Sequence, residues 1–438
     1  MDGDISTPGT VSRRAMLQGT FGALAVGGLG SVLAACSSSS SGGGAGSVSK
    51  SVSIGSNYSD AAVKTAFASV VKSYSNASKV TVNTVDHDSF QNNIQNYLQG
   101  SPNDVFCWFA GNRMQYFAKQ NLLTPIDDVW AKIGANFTPA VKAASKGADG
   151  HYYLVPWVNY PWVMFYKKSI FSKHGYSVPK TWDDLIALCK KMKSDGFSNP
   201  IAIGQKDGWP AMGTFDIINM RMNGYQFHVD LMAHKEKWTD PKVVAVFNQW
   251  AELTPYYTPG ATGRIWQDAV KLFDANQTSP MIFQGTDQVG PQLAKANLSD
   301  LDFFAFPEID PTYPTDSAID APIDGFLMSK KVKNKAGGAA LLEYLGSAAA
   351  EEAFLKPNPS DIGTATDYNQ GTYTPLQKAS VEIIKNTKNI AQFLDRDTRP
   401  DFAGPNGMQG FIQNFINDPK QDLDKYLQGI QDFWDSLA

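Results

Sequence analysis

Between residues 52 and 122 the chain alternates two hydrophobic rhythms. "SVSIGSN" and "KVTVNTV" alternate apolar with polar residues, and "NDVFCWFA" is a continuous apolar run; all three predict strands. "DAAVKTAFASVVKSYS" spaces Val63, Phe67, Val70 and Tyr74 as one helical face. "SFQNNIQNYLQG" does the same with Phe90, Ile94, Tyr97 and Leu98, and ends on Gly100 as a C-cap. "RMQYFAKQNLL" predicts a further helix. The rhythm then restarts. "HYYLVPW", "PWVMFYKK", "NPIAIG", "SPMIFQG" and "DGFLMSK" predict strands. "KTWDDLIALCKKMKSDG" predicts a helix, with Thr181 as N-cap and Asp184 at capping-box spacing. "PKVVAVFNQWAELT" turns Val243, Val246, Phe247, Trp250 and Leu253 inward, and both "AGGAALLEYLGSAAAEEAFL" and the C-terminal tail are helical. Such alternation predicts an α/β fold with mostly parallel sheets.

The first fifty residues follow other rules. Arg13 and Arg14 precede a short, glycine-rich apolar segment, Gly19 to Ala35. It falls below the roughly 20 strongly apolar residues of a spanning helix, and predicts a twin-arginine export signal. Leu33-Ala34-Ala35-Cys36 matches a bacterial lipobox, which makes Cys36 the lipidated residue, anchored by several acyl chains. The serine and glycine run behind it predicts a flexible tether. The expected organisation is a signal over 1–35, a tether over 36–50, and a mature chain held by lipid on the outer face of the bacterial cell membrane.

Composition narrows the function. The 438 residues carry 38 basic and 42 acidic side chains, and removing residues 1–35 takes two of each, so the net charge stays at -4. No basic face results, which excludes nucleic acid as the expected partner. The length beyond the tether predicts two lobes. Cys107 and Cys189 lie in apolar settings and are expected to be buried, unpaired and in different lobes. The five histidines are scattered, with no HExxH pair and no Cys-His cluster, so neither a metal nor a cofactor is expected.

Four phrases then fall in a familiar order: "SPNDVFCWFAGNRMQYFAKQNLLTPIDD", "DGHYYLVPWVNYPWVMFYKKSIFSKHGYSVPKTWDDLIALCKKMKSDG", "LFDANQTSPMIFQGTDQVG" and "DGFLMSKKVKNKAGGAALLEYLGS". Together they resemble the family 1 extracellular solute-binding proteins, the maltose-binding-protein-like receptors of ABC importers. The resemblance implies a two-lobe periplasmic-binding-protein-like fold with hinge crossovers and a cleft between the lobes. It implies lobe 1 over 51–158 and 283–325, and lobe 2 over 159–282 and 326–438. It also implies a monomer without catalysis whose partners are a small sugar and the permease subunits of an importer.

A sugar site needs aromatic faces for C–H patches and amide or charged groups for hydroxyls. Where the resemblance puts the cleft, the sequence offers both. "CWFAGNR" supplies Trp108, Asn112 and Arg113 at a strand end; the alternatives are core packing for Trp108 and a solvated helix start for the other two. "VPWVNYPW" supplies Trp157, Asn159, Tyr160 and Trp162 on a proline-fixed crossover. Trp209 sits on a loop as a stacking platform or is covered by a helix. "GTDQ" gives Gly285, Asp287 and Gln288, with Asp287 the preferred hydroxyl acceptor. "IDGF" gives Asp324, Gly325 and Phe326, where Gly325 either admits the ligand or makes a tight turn. "FLDRDTRPDF" either brings Arg396 or Asp401 to the cleft or forms a solvated ion-pair cluster. Tyr58 and Asp88 follow strand ends, as does His87, read as a loop histidine.

Two further readings compete. A polyol-phosphate receptor would recruit Arg113, Arg396 and Arg399. A surface hydrolase would need paired carboxylates about 5–10 Å apart; the pairs Asp127–Asp128 and Asp183–Asp184 fall at helix starts, where they cap free N–H groups.

Overall fold

The computed structural model describes residues 51–437 apart from 276, 277 and 294. The signal, the tether and Cys36 lie outside the described residues.

Twelve strands are described, and ten of them form two sheets. In the first sheet Val52–Ser56 (β1) lies between Val80–Thr84 (β2) and Val105–Phe109 (β3), all parallel. Leu154–Asn159 (β4) belongs to the same sheet. In the second sheet Trp162–Lys167 (β5) lies antiparallel to both Met281–Gly285 (β7) and Leu301–Phe304 (β8), and Ile201–Ala202 (β6) runs parallel to β7. Ala318–Asp320 (β9) then leads to Ile323–Met328 (β10), which returns to the first sheet and inserts antiparallel between β3 and β4. Ile362–Gly363 (β11) adds to the edge of β4, and Asn389–Ala391 (β12) pairs with β9. The orders are β11-β4-β10-β3-β1-β2 and β6-β7-β5-β8.

This pairing corrects the expected boundaries. Residues 283–285 do not open a return to the first sheet, because β7 is bonded along its length to β5, from Trp162↔Gly285 to Tyr166↔Met281. The return comes at Ile323, and Phe326 lies inside β10, opposite Cys107 and Val155, instead of leading away from the first sheet. Backbone register fixed these positions, and the hydrophobic pattern of a buried strand does not carry register.

Local signals behaved as expected. Helix Trp182–Ser194 starts on a complete Thr181–Asp184 capping box. Helix Pro241–Leu253 buries Val243, Val246, Phe247, Trp250 and Leu253. Cys107 on β3 and Cys189 on helix Trp182–Ser194 are buried free thiols, and burial pushes both up to about 12. Among the described residues no helix is long and apolar enough to cross a membrane, and no cluster of His, Cys, Asp or Glu is arranged to hold a metal.

Among the elements that the sequence pattern passed over, the longest is helix Met212–Met232. It has no polar face because it is buried on nearly every side, and Gly224 kinks it at φ +82°. Inside it, Arg221 reaches three backbone carbonyls: Phe306 at 3.3 Å, Ala318 at 2.7 Å and Thr315 at 2.8 Å. The segment that carries the chain back toward the first sheet is thereby tied to the second. Replacing Arg221 with Met orphans these carbonyls at about 1–3 kcal/mol each. Urea unfolding of Arg221→Met is expected to show a loss of at least about 3 kcal/mol; a loss below about 1 kcal/mol would contradict the role given to this side chain.

Candidate ligand-binding cleft

Strand ends of the first sheet face strand ends of the second across a cleft, the position at which α/β sheets offer ligands their loops. The first side contributes Asn57 and Tyr58 after β1, His87 after β2, Asp324 on β10 and Asp361 just before β11. The second side contributes Trp162 on β5, Trp209 after β6, Trp266 at a helix start, and Asp287 and Gln288 after β7. Phe393 and Arg396 arrive after β12. These residues line two adjoining hollows that share His87, Trp209, Asp287, Gln288 and Asp324.

One wall is aromatic. Trp209 stands edge-on to Trp162, with centroids 6.3 Å apart at 87°, and lies 6.3 Å from Trp266. Phe393 packs on Trp162 at 4.7 Å. Flat C–H surface stacks on faces of this kind.

The other wall is acidic around a single cation. Arg396 donates from Nη1 to Asp324 Oδ1 at 2.6 Å and from Nη2 to the Tyr160 hydroxyl at 2.7 Å. Tyr160 in turn donates to Asp324 Oδ1 at 3.1 Å. The guanidinium lies 3.9 Å over the Phe109 ring, a cation–π contact. Burial works against the charge of Arg396, but Asp324, Tyr160 and Asp395 outweigh it and raise its pKa further. Burial, then Asp361 and Asp324, push Asp287 well above the usual carboxylate range. Burial and then Asp324 bring Asp361 to about 7, against the hydrogen bond from Asn358. Burial raises Asp324 too, against the pull of Arg396.

Among the described residues, buried polar atoms on these walls without a hydrogen-bond partner in the protein include Asn57 Oδ1, Tyr58 Oη, Trp162 Nε1, Asp287 Oδ1 and Asp361 Oδ1, while Arg396 Nε and Asp395 Oδ1 have only each other at 3.7 Å. Buried groups of this sort cost stability unless something satisfies them. A solute with hydroxyls around its rim does so.

Of the residues expected from sequence, Tyr58, Tyr160, Trp162, Trp209, Asp287, Gln288, Asp324 and Arg396 line the cleft, together with His87, expected as a loop histidine. The others do not. Trp108 packs in the core against Phe90 and Phe117, and Trp157 against Phe326 and Phe354. Phe326 itself stacks on Phe67. Arg113 is buried behind the wall, bonded to Gln91 and paired with Asp395 at 3.3 Å. Asn112 donates to the Asp397 carbonyl, and Asn159 to that of Ala321. A Cβ on Gly325 would strike the Val155 carbonyl and Leu154, so this glycine spaces two strands and does not admit a ligand. Gly285 ends β7 opposite Trp162 and sets the start of the segment that carries Asp287. Asp401 is spent on Arg399 at the surface, 2.7 Å away. Asp88 stands behind Trp209, bonded to its indole. Sequence reasoning missed Asp361, Trp266 and Phe393; the only signal in reach was a tryptophan opening a helix after the turn-rich "TPGATGR".

Residues 59–352 match the family model of the bacterial extracellular solute-binding proteins. Among solved structures, the chain is similar to the bacterial solute receptor AcbH, with a TM-score of 0.86 and 51% identity over 89% of this chain and 99% of that one. AcbH is described as having an exclusive preference for β-D-galactopyranose. An uncharacterised ABC transporter extracellular-binding protein of Pyrococcus horikoshii is 28% identical over 66% of this chain and 65% of its own. The diacetylchitobiose binding protein NgcE of Streptomyces coelicolor is 23% identical over 67% and 64%. The matched regions thus span a little under two thirds of these two relatives' own length. The matched stretch takes in β2 through β10, every strand that shapes the two sheets except β1 and β11, and on that ground the chain belongs to the bacterial extracellular solute-binding protein family.

Proposed function

We propose that this protein captures a neutral monosaccharide of the β-D-galactopyranose kind and hands it to the permease subunits of an ABC importer. The observation that carries this reading is the meeting of three tryptophans with three buried carboxyl groups, Asp287, Asp324 and Asp361, that include unpartnered oxygens. A pyranose presents a flat C–H patch to the first and hydroxyls to the second. The galactose preference described for AcbH, at 51% identity, supports the same class. The chain passes between sheets at Tyr160–Pro161, again at Ala321–Pro322, and once more along β12; in this reading those passages are hinges, two lobes close about them, and the sugar is trapped. The receptor acts as a monomer outside the cytoplasmic membrane. Cys36 carries the lipid, and the tether keeps the receptor near its permease.

The polyol-phosphate reading is not favoured. Arg396, the one Arg or Lys among the described residues of the hollow, is already engaged by Asp324 and Tyr160, and an anion would face Asp287 and Asp361. The proteins named above are binding proteins, and no catalytic role is assigned to the acids.

Three outcomes follow from this reading. Trp209→Ala removes the central platform, and titration calorimetry with β-D-galactopyranose is expected to show affinity lower by about tenfold or more; an unchanged affinity would remove Trp209 from the site. Cys36→Ala is expected to release the chain from cell membranes, read by fractionation and fatty-acid-analogue labelling; continued labelling would refute the lipobox.

The third concerns pH. Asp361, Asp397 and Glu351 are raised to about 7 and Asp207 to about 6, chiefly by burial. Each binds its proton more tightly folded than unfolded, so its contribution is complete below about pH 4 and is lost as pH rises through the folded value. His228, lowered by burial to about 3, works the other way below about pH 6.5, as one group against several. The sugar-free protein is therefore expected to melt at a higher temperature at pH 5.5 than at pH 8, and Asp361→Asn to shrink that difference. A midpoint that rises with pH over this range would show the acids to be paired.

A further inference from the structure

Asp88 is expected from sequence to touch the ligand, yet it stands behind the cleft wall. Its Oδ1 accepts the Trp209 Nε1–H bond at 3.2 Å. The two residues come from opposite sides. Asp88 lies on helix His87–Asn92, which follows β2 of the first sheet, and Trp209 lies on the loop between β6 of the second sheet and helix Met212–Met232. The helix under Asp88 is set firmly: Asp86 caps its N-terminus through the Ser89 N–H. On the other side, ring contacts with Trp162, Trp266 and Phe393 confine the indole by shape. The hydrogen bond to Asp88 is directional and fixes which way the indole edge points.

We propose that Asp88 is a positioning residue and a latch. It sets Trp209 as the sugar platform when the two sides of the cleft meet, and it touches no sugar atom. The inference rests on the sugar reading of the cleft for its ligand, though not for the bond itself. A latch of this kind changes affinity for every pyranose by the same factor. A ligand contact discriminates among sugars by their hydroxyls. Burial raises Asp88 above the ordinary carboxylate range, so asparagine, neutral and with an oxygen acceptor in the same place, is the fitting conservative variant.

The test is a double-mutant cycle by titration calorimetry with β-D-galactopyranose and D-glucose, on the chain from Val48 onward. Asp88→Ala is expected to weaken binding about tenfold, and Asp88→Asn less than about threefold. Trp209→Phe keeps a ring and loses the N–H; combined with Asp88→Ala it is expected to bind no more weakly than the worse single variant. Losses that multiply, or a loss confined to one sugar, would overturn the latch. Should the unaltered protein bind no sugar, the sugar reading falls, and the cycle is read in urea unfolding of the free protein. Coupled midpoints there uphold the Asp88–Trp209 bond, and additive ones overturn it.

Discussion

One guanidinium joins the separate passages from which the cleft is made. Arg396 arrives after the last crossing strand, bonds Asp324 on β10 and Tyr160 at the first crossing, and rests on Phe109 of β3. The backbone accommodates it. Gly111, at φ +79°, lets the turn after β3 approach the Arg396 carbonyl to a distance where a Cβ would sit 2.8 Å from that oxygen. Breaking a buried pair of this kind leaves an uncompensated charge and typically costs about 3–5 kcal/mol. Because its partners come from β10 and from the chain's first crossing, the cost would fall on the alignment of the two sheets as well as on local packing.

The same cation decides what kind of solute suits the hollow. It bonds Asp324 and acts on Asp287, while Asp361 bears on Asp287 from the adjoining hollow, and one positive charge does not balance three negative ones. Burial resolves the excess by raising the acids, so that protons remain on part of the set near neutral pH. A protonated carboxyl donates and an ionised one accepts. A sugar hydroxyl can answer either, whereas an anion can answer only the first and a cation only the second. The acid cluster and the neutral ligand are therefore two sides of one electrostatic condition.

How far the sequence discloses this depends on the length scale of each feature. The face of Pro241–Leu253 and the Thr181 capping box are local, and both were legible residue by residue. The exchange of β7 and β10 between sheets is not local, since both strands are continuous apolar runs in either assignment. Helix Met212–Met232 was hidden by its own burial. In the cleft, Trp209, Asp287 and Arg396 were legible as aromatic and charged residues on turns. Trp108 was misread for a reason of geometry. Its ring turns inward to pack against Phe90, Phe109 and Phe117, and the adjacent Phe109 is the one that carries Arg396. Asp361 gave no signal, because it reaches the cleft only through the pairing of β11 with the edge of β4.

If the cleft takes a pyranose as proposed, the unpartnered atoms would let so small a site select among solutes of equal size. Asn57, Tyr58, Trp162, Asp287 and Asp361 come from four separate passages of chain. No local rearrangement satisfies them together; a ligand must meet them around its rim while its flat face rests on the indoles. A sugar lacking or inverting one hydroxyl loses more than that contact, because it also seals a buried acceptor away from water. In the proposed reading, stacking would supply affinity to any pyranose, and the orphaned polar atoms would withhold it from all but those whose hydroxyls fall in the right places. Selectivity in such a cleft would then follow from what the folded protein leaves unsatisfied.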